Sequence, residues 1–285
     1  MSIVYLNGEY MPMSEAKISP MDRGFLFGDG IYEVIPSYDG KLVGFAPHIE
    51  RMEQGLNAID IELGYSIETW RDISETLMSK NDGANLGIYL HVSRGPDTRR
   101  FHAYPEHVTP TVYAFSFEIA PEPKANKATV KQYVVSSTQD MRWQRCNIKS
   151  TALLGNVMHF QQGYKAGNSE IILFNANNEI TEGSTSNVYI VKDGVAITPL
   201  LDHQVLPGIT RLVLLDILRK EGTIKVEERV VTMDEARNAD EVWLTSSSKE
   251  IVPVVELDGE PVGDGQVGDV WEKAQALYSA GKYDY

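Results

Sequence analysis

The amino-acid sequence predicts an α+β fold in two α+β domains. Three observations carry this: turn dipeptides between β-rich runs, amphipathic helices between those runs, and a proline-rich break before the midpoint. Asn7–Gly8 comes first and reads as a hairpin turn. "IYEVIPSYDGKLVGF" follows, with Asp39–Gly40 between its two halves. "PHIERMEQGLNAIDIEL" carries Ile49, Met52, Leu56, Ile59 and Leu63 at helical spacing, and "SIETWRDISETLMSKN" repeats the pattern with Ile67, Trp70, Ile73 and Leu77. "EIAPEPKANKAT" has two prolines, alternating charge and no periodicity, and reads as a linker. The expected division is a smaller N-terminal domain over 1–119, a linker over 120–127 and a larger C-terminal domain over 128–285. In the second domain "TALLGNVMHFQQGYKAG" is a third helix, and "EIILFNANNEITEGSTSNVYIVKDGVAITP" holds hairpins at Asn177–Asn178 and Asp193–Gly194. "ITRLVLLDILRKEG" is a fourth helix that stops at Gly222, and Thr232 with Glu235 forms a capping box for a short fifth. Asp258–Gly259 makes the last hairpin. So many hairpins imply antiparallel pairing, not a simple βαβ repeat.

Composition narrows the function. The chain has 285 residues, 42% hydrophobic and 23% charged, enough for a substantial core. A net charge of −14 repels phosphate backbones, so nucleic acid is not an expected partner. One cysteine, Cys146, allows no intrachain disulfide and fits a reducing cytoplasm. The N-terminus lacks the pattern of a secretory signal, and no apolar run approaches membrane-spanning length, so no membrane association is expected. His91, His107, His159 and His203 have no metal-ligand spacing; they read as structural, and no metal is expected.

Several stretches carry chemistry, and each also has an ordinary structural explanation. "CNIKSTALLGNV" sets one lysine, Lys149, between a strand-like run and a helix. Most lysines are solvated surface charges. "LPGITRLVLLDIL" feeds a Pro–Gly turn into a helix whose first backbone N–H groups, at Ile209 and Thr210, form an anion site if anything binds there. "PHIER" puts His48 and Arg51 on one helical face, and arginine clamps phosphate well. "LTSSSKE" clusters Thr245, Ser246, Ser247 and Ser248 at a strand end, as a phosphate-binding set or a plain turn. "RGPDTRRFH" concentrates Arg94, Arg99, Arg100 and His102 in an acidic chain, which suggests an anionic ligand or a solvated loop. "ITEGSTSNVY" places Glu182 where a strand breaks, as a turn residue or an inward partner for a cation. Together they describe a site for a phosphorylated, partly cationic cofactor and a carboxylate substrate, with Lys149 as covalent anchor.

"DRGFLFGDGIYEV", "HIER", "RCNIKSTALLGNV", "ITEGSTSNVY", "LPGITR" and "LTSSSKEIVPV" occur in this order. Their spacing resembles the class IV, fold type IV pyridoxal-phosphate aminotransferases, across nearly the whole chain. The resemblance implies pyridoxal 5′-phosphate at the domain interface. It implies that Lys149 forms the internal aldimine and that Glu182 pairs with the pyridine nitrogen. It further implies that Arg51, the backbone of Ile209 and Thr210, and the hydroxyls of Ser246 and Ser247 bind the phosphate. The pattern is most similar to that of D-amino-acid aminotransferases, which implies that Tyr32, Arg100 and His102 bind the substrate carboxylate. Arg and His then come from the neighbouring subunit of a homodimer. The loop from Arg94–Gly95 to His102 is one residue longer than that pattern, so either Arg99 or Arg100 can be the inward arginine.

The expected reaction moves the amino group of a D-amino acid, such as D-alanine or D-glutamate, to a 2-oxo acid such as pyruvate or 2-oxoglutarate, by a ping-pong mechanism. Its alternatives in the same fold are a branched-chain L-amino-acid or (R)-amine transaminase and, further off, an aminodeoxychorismate lyase. An ammonium cannot attack an aldehyde, so the lysine must be able to lose its proton, and it can then act as general base and acid. A carboxylate at the ring nitrogen keeps the ring protonated and a better electron sink.

Overall fold

The computed structural model describes residues 2–285. The chain forms two compact units. The first runs through Glu122 and also takes in Ile148–Leu153; the second holds Pro123–Asn147 and Leu154–Asp284. A cut at 120–127 assigns Lys149 to the C-terminal part, whereas its short segment belongs with the first unit.

The first unit is built on β1 (Ile3–Leu6), β2 (Glu9–Pro12), α1 (Arg23–Phe27), β3 (Gly30–Tyr38), β4 (Lys41–Leu42), α2 (Phe45–Ala58), α3 (Ile67–Lys80), β5 (Asn85–Ser93) and β6 (Thr111–Glu118). Its six-stranded sheet has the order β2-β1-β6-β5-β3-β4, antiparallel throughout. The turns at Asn7–Gly8 and Asp39–Gly40 have positive φ at both residues, the backbone that a two-residue hairpin of native twist requires. Ile31, Ile35, Ile88, Leu90, Val92, Val112 and Ala114 face a core shared with Ile49, Met52 and Leu56 of α2 and Trp70, Ile73 and Leu77 of α3. Ile59 and Leu63 lie beyond the end of α2, yet both pack against the same core. Ser66 caps α3 by accepting from the Thr69 N–H.

The second unit continues with β7 (Tyr133–Gln139), α4 (Leu154–Lys165), β8 (Glu170–Phe174), β9 (Ile180–Gly183), β10 (Asn187–Lys192), β11 (Val195–Thr198), α5 (Ile209–Glu221), β12 (Lys225–Glu228), α6 (Met233–Arg237), β13 (Glu241–Ser246), β14 (Glu250–Leu257), β15 (Glu260–Pro261) and α7 (Asp269–Gly281). The strands run β12-β11-β10-β13-β14-β7-β8-β9, with β15 on β14. The sheet is mixed. The β7–β8, β7–β14 and β11–β12 pairs are parallel. Turn dipeptides mark only the hairpins; the helical crossovers through α4 and α5 leave no such mark. Gly222 ends α5 in the left-handed region, and Thr232 with Glu235 makes both bonds of a capping box on α6. The sequence reading missed α7, whose buried face of Trp271, Gln275 and Tyr278 mixes polar and apolar residues.

Candidate active site

Lys149 is positioned by the edge of a strand. β4 covers β3 only at Ser37 and Tyr38, which leaves the other end of that edge open. Lys149–Thr151 takes it: Tyr32 N–H donates to the Lys149 carbonyl at 3.1 Å, Thr151 N–H to the Gly30 carbonyl at 2.9 Å, and Ile31 bridges to Ser150. The approach is close. Gly28 has φ +66°, and a Cβ there would meet Ala152 Cα at 2.8 Å, so the glycine is required. The Lys149 ammonium ends 3.3 Å from the Tyr32 hydroxyl and 4.3 Å from the centre of its ring. Tyr32 stacks on Tyr89 of β5, with ring centres 5.6 Å apart.

Alternation along β3 points the next residue, Glu33, to the opposite face, among core isoleucines. Glu33 is fully buried. Arg51 grips both its oxygens, Nε to Oε1 and Nη2 to Oε2, each at 2.7 Å, and His48 Nδ1 is 2.7 Å from Oε2. Burial alone would raise the Glu33 carboxyl, but Arg51 and His48 overcome it and hold it at about 2. Burial lowers His48, opposed by Glu33, with Lys149 among the nearby charges that lower it further. Two of the three Arg51 guanidinium nitrogens are therefore committed to Glu33, a partner that the motif "HIER" did not disclose. The signal was present: a period of two places Glu33 with Ile31 and Ile35, and a buried carboxylate needs a cation.

The cationic loop is not one cluster. Arg94 is buried and structural: it binds both Asp29 oxygens at 2.8 and 3.0 Å and the Ile59 and Asp60 carbonyls. Arg23 of α1 also binds Asp29 and donates to the Phe101 and His102 carbonyls, which anchors the loop from the inside. Arg100 and His102 share one neighbour, the Phe27 ring, at 5.0 and 5.4 Å; Arg99 instead lies 4.6 Å from the Phe101 ring. Arg99, Arg100 and His102 are exposed. Among the described residues, no hydrogen bond or ion pair joins Arg100 or His102 to Tyr32 or Lys149 within the chain.

In the second unit Glu182 lies on β9, 5% exposed. Arg142 Nη1 donates to one oxygen at 2.5 Å; the Leu206 N–H, at 2.9 Å, and the Asn187 amide, at 3.3 Å, donate to the other. Arg142 is itself gripped by Asp140 through two bonds of 2.7 and 3.0 Å. Sequence reasoning missed both Arg142 and Asn187. Burial pushes the Glu182 carboxyl up to about 7, against the opposing pull of Arg142, which Asp140 partly neutralises.

Asn187 also links Glu182 to the start of α5. Its amide donates to the Leu206 carbonyl at 2.8 Å, and its Oδ1 approaches Gly208 so closely that a Cβ there would lie 2.0 Å away. Gly208 is the N-cap of α5 and offers no side-chain cap to the N–H groups that open the helix at Ile209 and Thr210. Across the β10–β13 ladder Asn187 pairs with Thr245. The hydroxyls of Thr245 and Ser246 are buried with no hydrogen-bond partner among the described residues. Ser247 follows in the turn, partly buried. Orphaned hydroxyls beside an uncapped helix start are what a phosphate dianion would satisfy.

The first unit holds an amine at a strand edge; the second, taken by itself, holds a buried carboxylate short of compensating charge and an unsatisfied anion cradle, features that suit a phosphorylated ligand with a cationic ring. The model of the family "Amino-transferase class IV" matches residues 30–257. A D-alanine aminotransferase from Staphylococcus haemolyticus is 41% identical over 96% of each chain; one from Bacillus licheniformis is 38% identical over 95% of this chain and 94% of the relative. Among solved structures, the branched-chain amino acid aminotransferase of Escherichia coli superposes with a TM-score of 0.90 at 24% identity, over 99% of this chain and 94% of that one. The Thermobaculum terrenum branched-chain aminotransferase, solved in its PLP form, gives 0.88 at 20% identity over the same shares. These structural matches establish the fold. The chain belongs to the class IV aminotransferase family, and its cofactor is pyridoxal 5′-phosphate.

Proposed function

We propose that this aminotransferase moves the amino group of a D-amino acid, such as D-alanine or D-glutamate, to a 2-oxo acid such as pyruvate or 2-oxoglutarate, in two half-reactions of a ping-pong cycle. One observation carries the reading: the Lys149 amine lies 3.3 Å from the Tyr32 hydroxyl. A proton-transfer group and a hydroxyl able to bind a carboxylate thus stand together on one strand edge. The near-full-length relatives named D-alanine aminotransferases support the D hand.

When bound, pyridoxal phosphate supplies an aldehyde that condenses with amines and a ring that, protonated, accepts the electron pair left at the substrate's Cα. Lys149 would hold the cofactor, and its Nζ would move the substrate's α-proton. Glu182 holds the proton of the ring nitrogen. A cation beside it offsets the cost of a buried carboxylate, so the site selects the protonated ring. The N–H groups of Ile209 and Thr210, with the hydroxyls of Ser246 and Ser247, take the phosphate, and Arg51 adds charge to it. Tyr32, Arg100 and His102 bind the substrate carboxylate.

Arg100 and His102 are supplied by a second copy in a homodimer. Their exposed setting supports this, as does an uncovered apolar face on α4, where Leu154 is 72% exposed, Met158 65% and Tyr164 66%. Arg100→Ala should then raise the KM for the amino donor by about tenfold or more, and Arg99→Ala by much less. The buried, unpaired Cys146 fits a cytoplasmic setting, and no helix among the described residues is long and apolar enough to cross a membrane.

The test is a spectrophotometric titration of the holoenzyme with D-alanine and, separately, L-alanine. D-alanine should bleach the visible band of the lysine-bound cofactor and pyruvate should restore it, with L-alanine far slower. Bleaching by L-leucine or a simple (R)-amine in place of D-alanine would overturn the D reading. Pyruvate released from aminodeoxychorismate without an amino acceptor would make the protein a lyase.

A further inference from the structure

The C-terminal helix buries an unusual stripe. Gln275, Tyr278 and Lys282, spaced i, i+3, i+7, fall on one face of α7 and the turn that ends it, and each is 2% exposed or less. Apolar residues would fill such a face at lower cost, because a buried lysine and a buried glutamine must both be compensated. The polar groups of this stripe reach two separate places. Lys282 forms an ion pair with Glu250, and Gln275 Nε2 donates to the other Glu250 oxygen at 2.7 Å. The Tyr278 hydroxyl lies near the Thr210 side chain.

Both targets are walls of the anion cradle. Glu250 closes the turn between β13 and β14: it pairs with Ser246 across the ladder, and Lys249 N–H donates to the Ser246 carbonyl at 3.2 Å. Its φ is +56°, a left-handed conformation that a glutamate adopts at a cost. The buried ion pair holds it there. Thr210 is in the first turn of α5, the opposite wall. One helix face therefore grips the serine turn through Glu250 and approaches the helix start at Thr210.

We propose that Lys282, with Gln275 and Tyr278, is a positioning residue for the cofactor phosphate: α7 braces the two walls at the separation that a phosphate needs. The brace touches no reacting atom and acts through Glu250 and Thr210. It rests on the reading that this cradle takes the phosphate.

The experiment titrates full-length protein stripped of cofactor with pyridoxal phosphate and with pyridoxal, which lacks the phosphate, following the visible band of the lysine-bound form. Lys282→Met should weaken pyridoxal phosphate binding by about tenfold or more and leave pyridoxal binding unchanged, the size expected for groups that orient ligand-binding residues. Tyr278→Phe should act in the same direction, less strongly. Lys282→Met leaves Glu250 buried and unpaired, so E250Q/K282M, which neutralises both partners, guards against a failure to fold and should show the same selective loss. Equal loss of both ligands, or no loss, would overturn the brace while leaving the cradle intact. A wild-type protein that binds pyridoxal as tightly as pyridoxal phosphate would overturn the cradle, and the brace with it.

Discussion

Glu33 and Glu182 are both buried glutamates with an arginine partner, one in each unit, and their carboxyls are driven in opposite directions, to about 2 and to about 7. The difference lies in how completely each charge is answered. Arg51 grips both oxygens of Glu33, and His48 adds a third contact. Arg142 reaches one oxygen of Glu182 and spends two bonds on Asp140, so much of its charge is answered elsewhere. Glu33 is electrically finished within the chain. Glu182 is not, and a cationic ring would complete it. Burial with an arginine nearby does not define a salt bridge's job; the division of the arginine's charge does.

The largest way to break this contrast is Glu33→Ala, which strands Arg51 and His48 in the core. It should destabilise the protein by about 3–5 kcal/mol, read from denaturant unfolding. Because the folded Glu33 carboxyl is depressed, its stabilisation is present above the ordinary glutamate range and is lost as pH falls through about 2. Wild type should therefore lose its advantage over the variant on strong acidification.

Glu182 carries the reverse sign. Its raised carboxyl favours folding below the ordinary glutamate range, and that contribution is lost as pH rises through about 7. Cofactor-free wild type should lose about 3 kcal/mol of stability between pH 4 and pH 8 from this group, and E182Q should lack that slope. A slope of the opposite sign would mean that Arg142 dominates after all. Next in size, Glu182→Gln should lower kcat by about 10²-fold, equivalent to about 2.7 kcal/mol, while the cofactor-free variant melts no lower than wild type at neutral pH. The smallest effect sharpens the Glu33 side: His48→Ala removes one contact of three and should cost about 1 kcal/mol, with Arg51 still in place.

Much of the fold was legible because its signals are local. Four of the turns, Asn7–Gly8, Asp39–Gly40, Asp193–Gly194 and Asp258–Gly259, have positive φ at both residues, a property of Asn, Asp and Gly themselves. The amphipathic stripes of α2 and α3 and the cap of α6 are equally local. The parallel pairs of the second sheet were not legible, since backbone ladders form between distant strands without a sequence mark. In the candidate site, the motifs around Lys149, Glu182, Ile209 and Ser246 stand out by residue type and order. Their partners Arg142, Asn187 and Glu33 did not, because a charge partner is chosen by proximity in space.

By itself, then, the sequence determined the hairpins, the helices and the inventory of reactive groups, all of which depend on a residue and its near neighbours. Only the tertiary structure decided that Lys149 hangs on the open edge of β3, that Arg94 is structural while Arg100 stays exposed, and which glutamate keeps its charge fully answered. Those outcomes depend on burial and on which opposite charge arrives within hydrogen-bonding distance, and neither quantity is defined until the chain has folded.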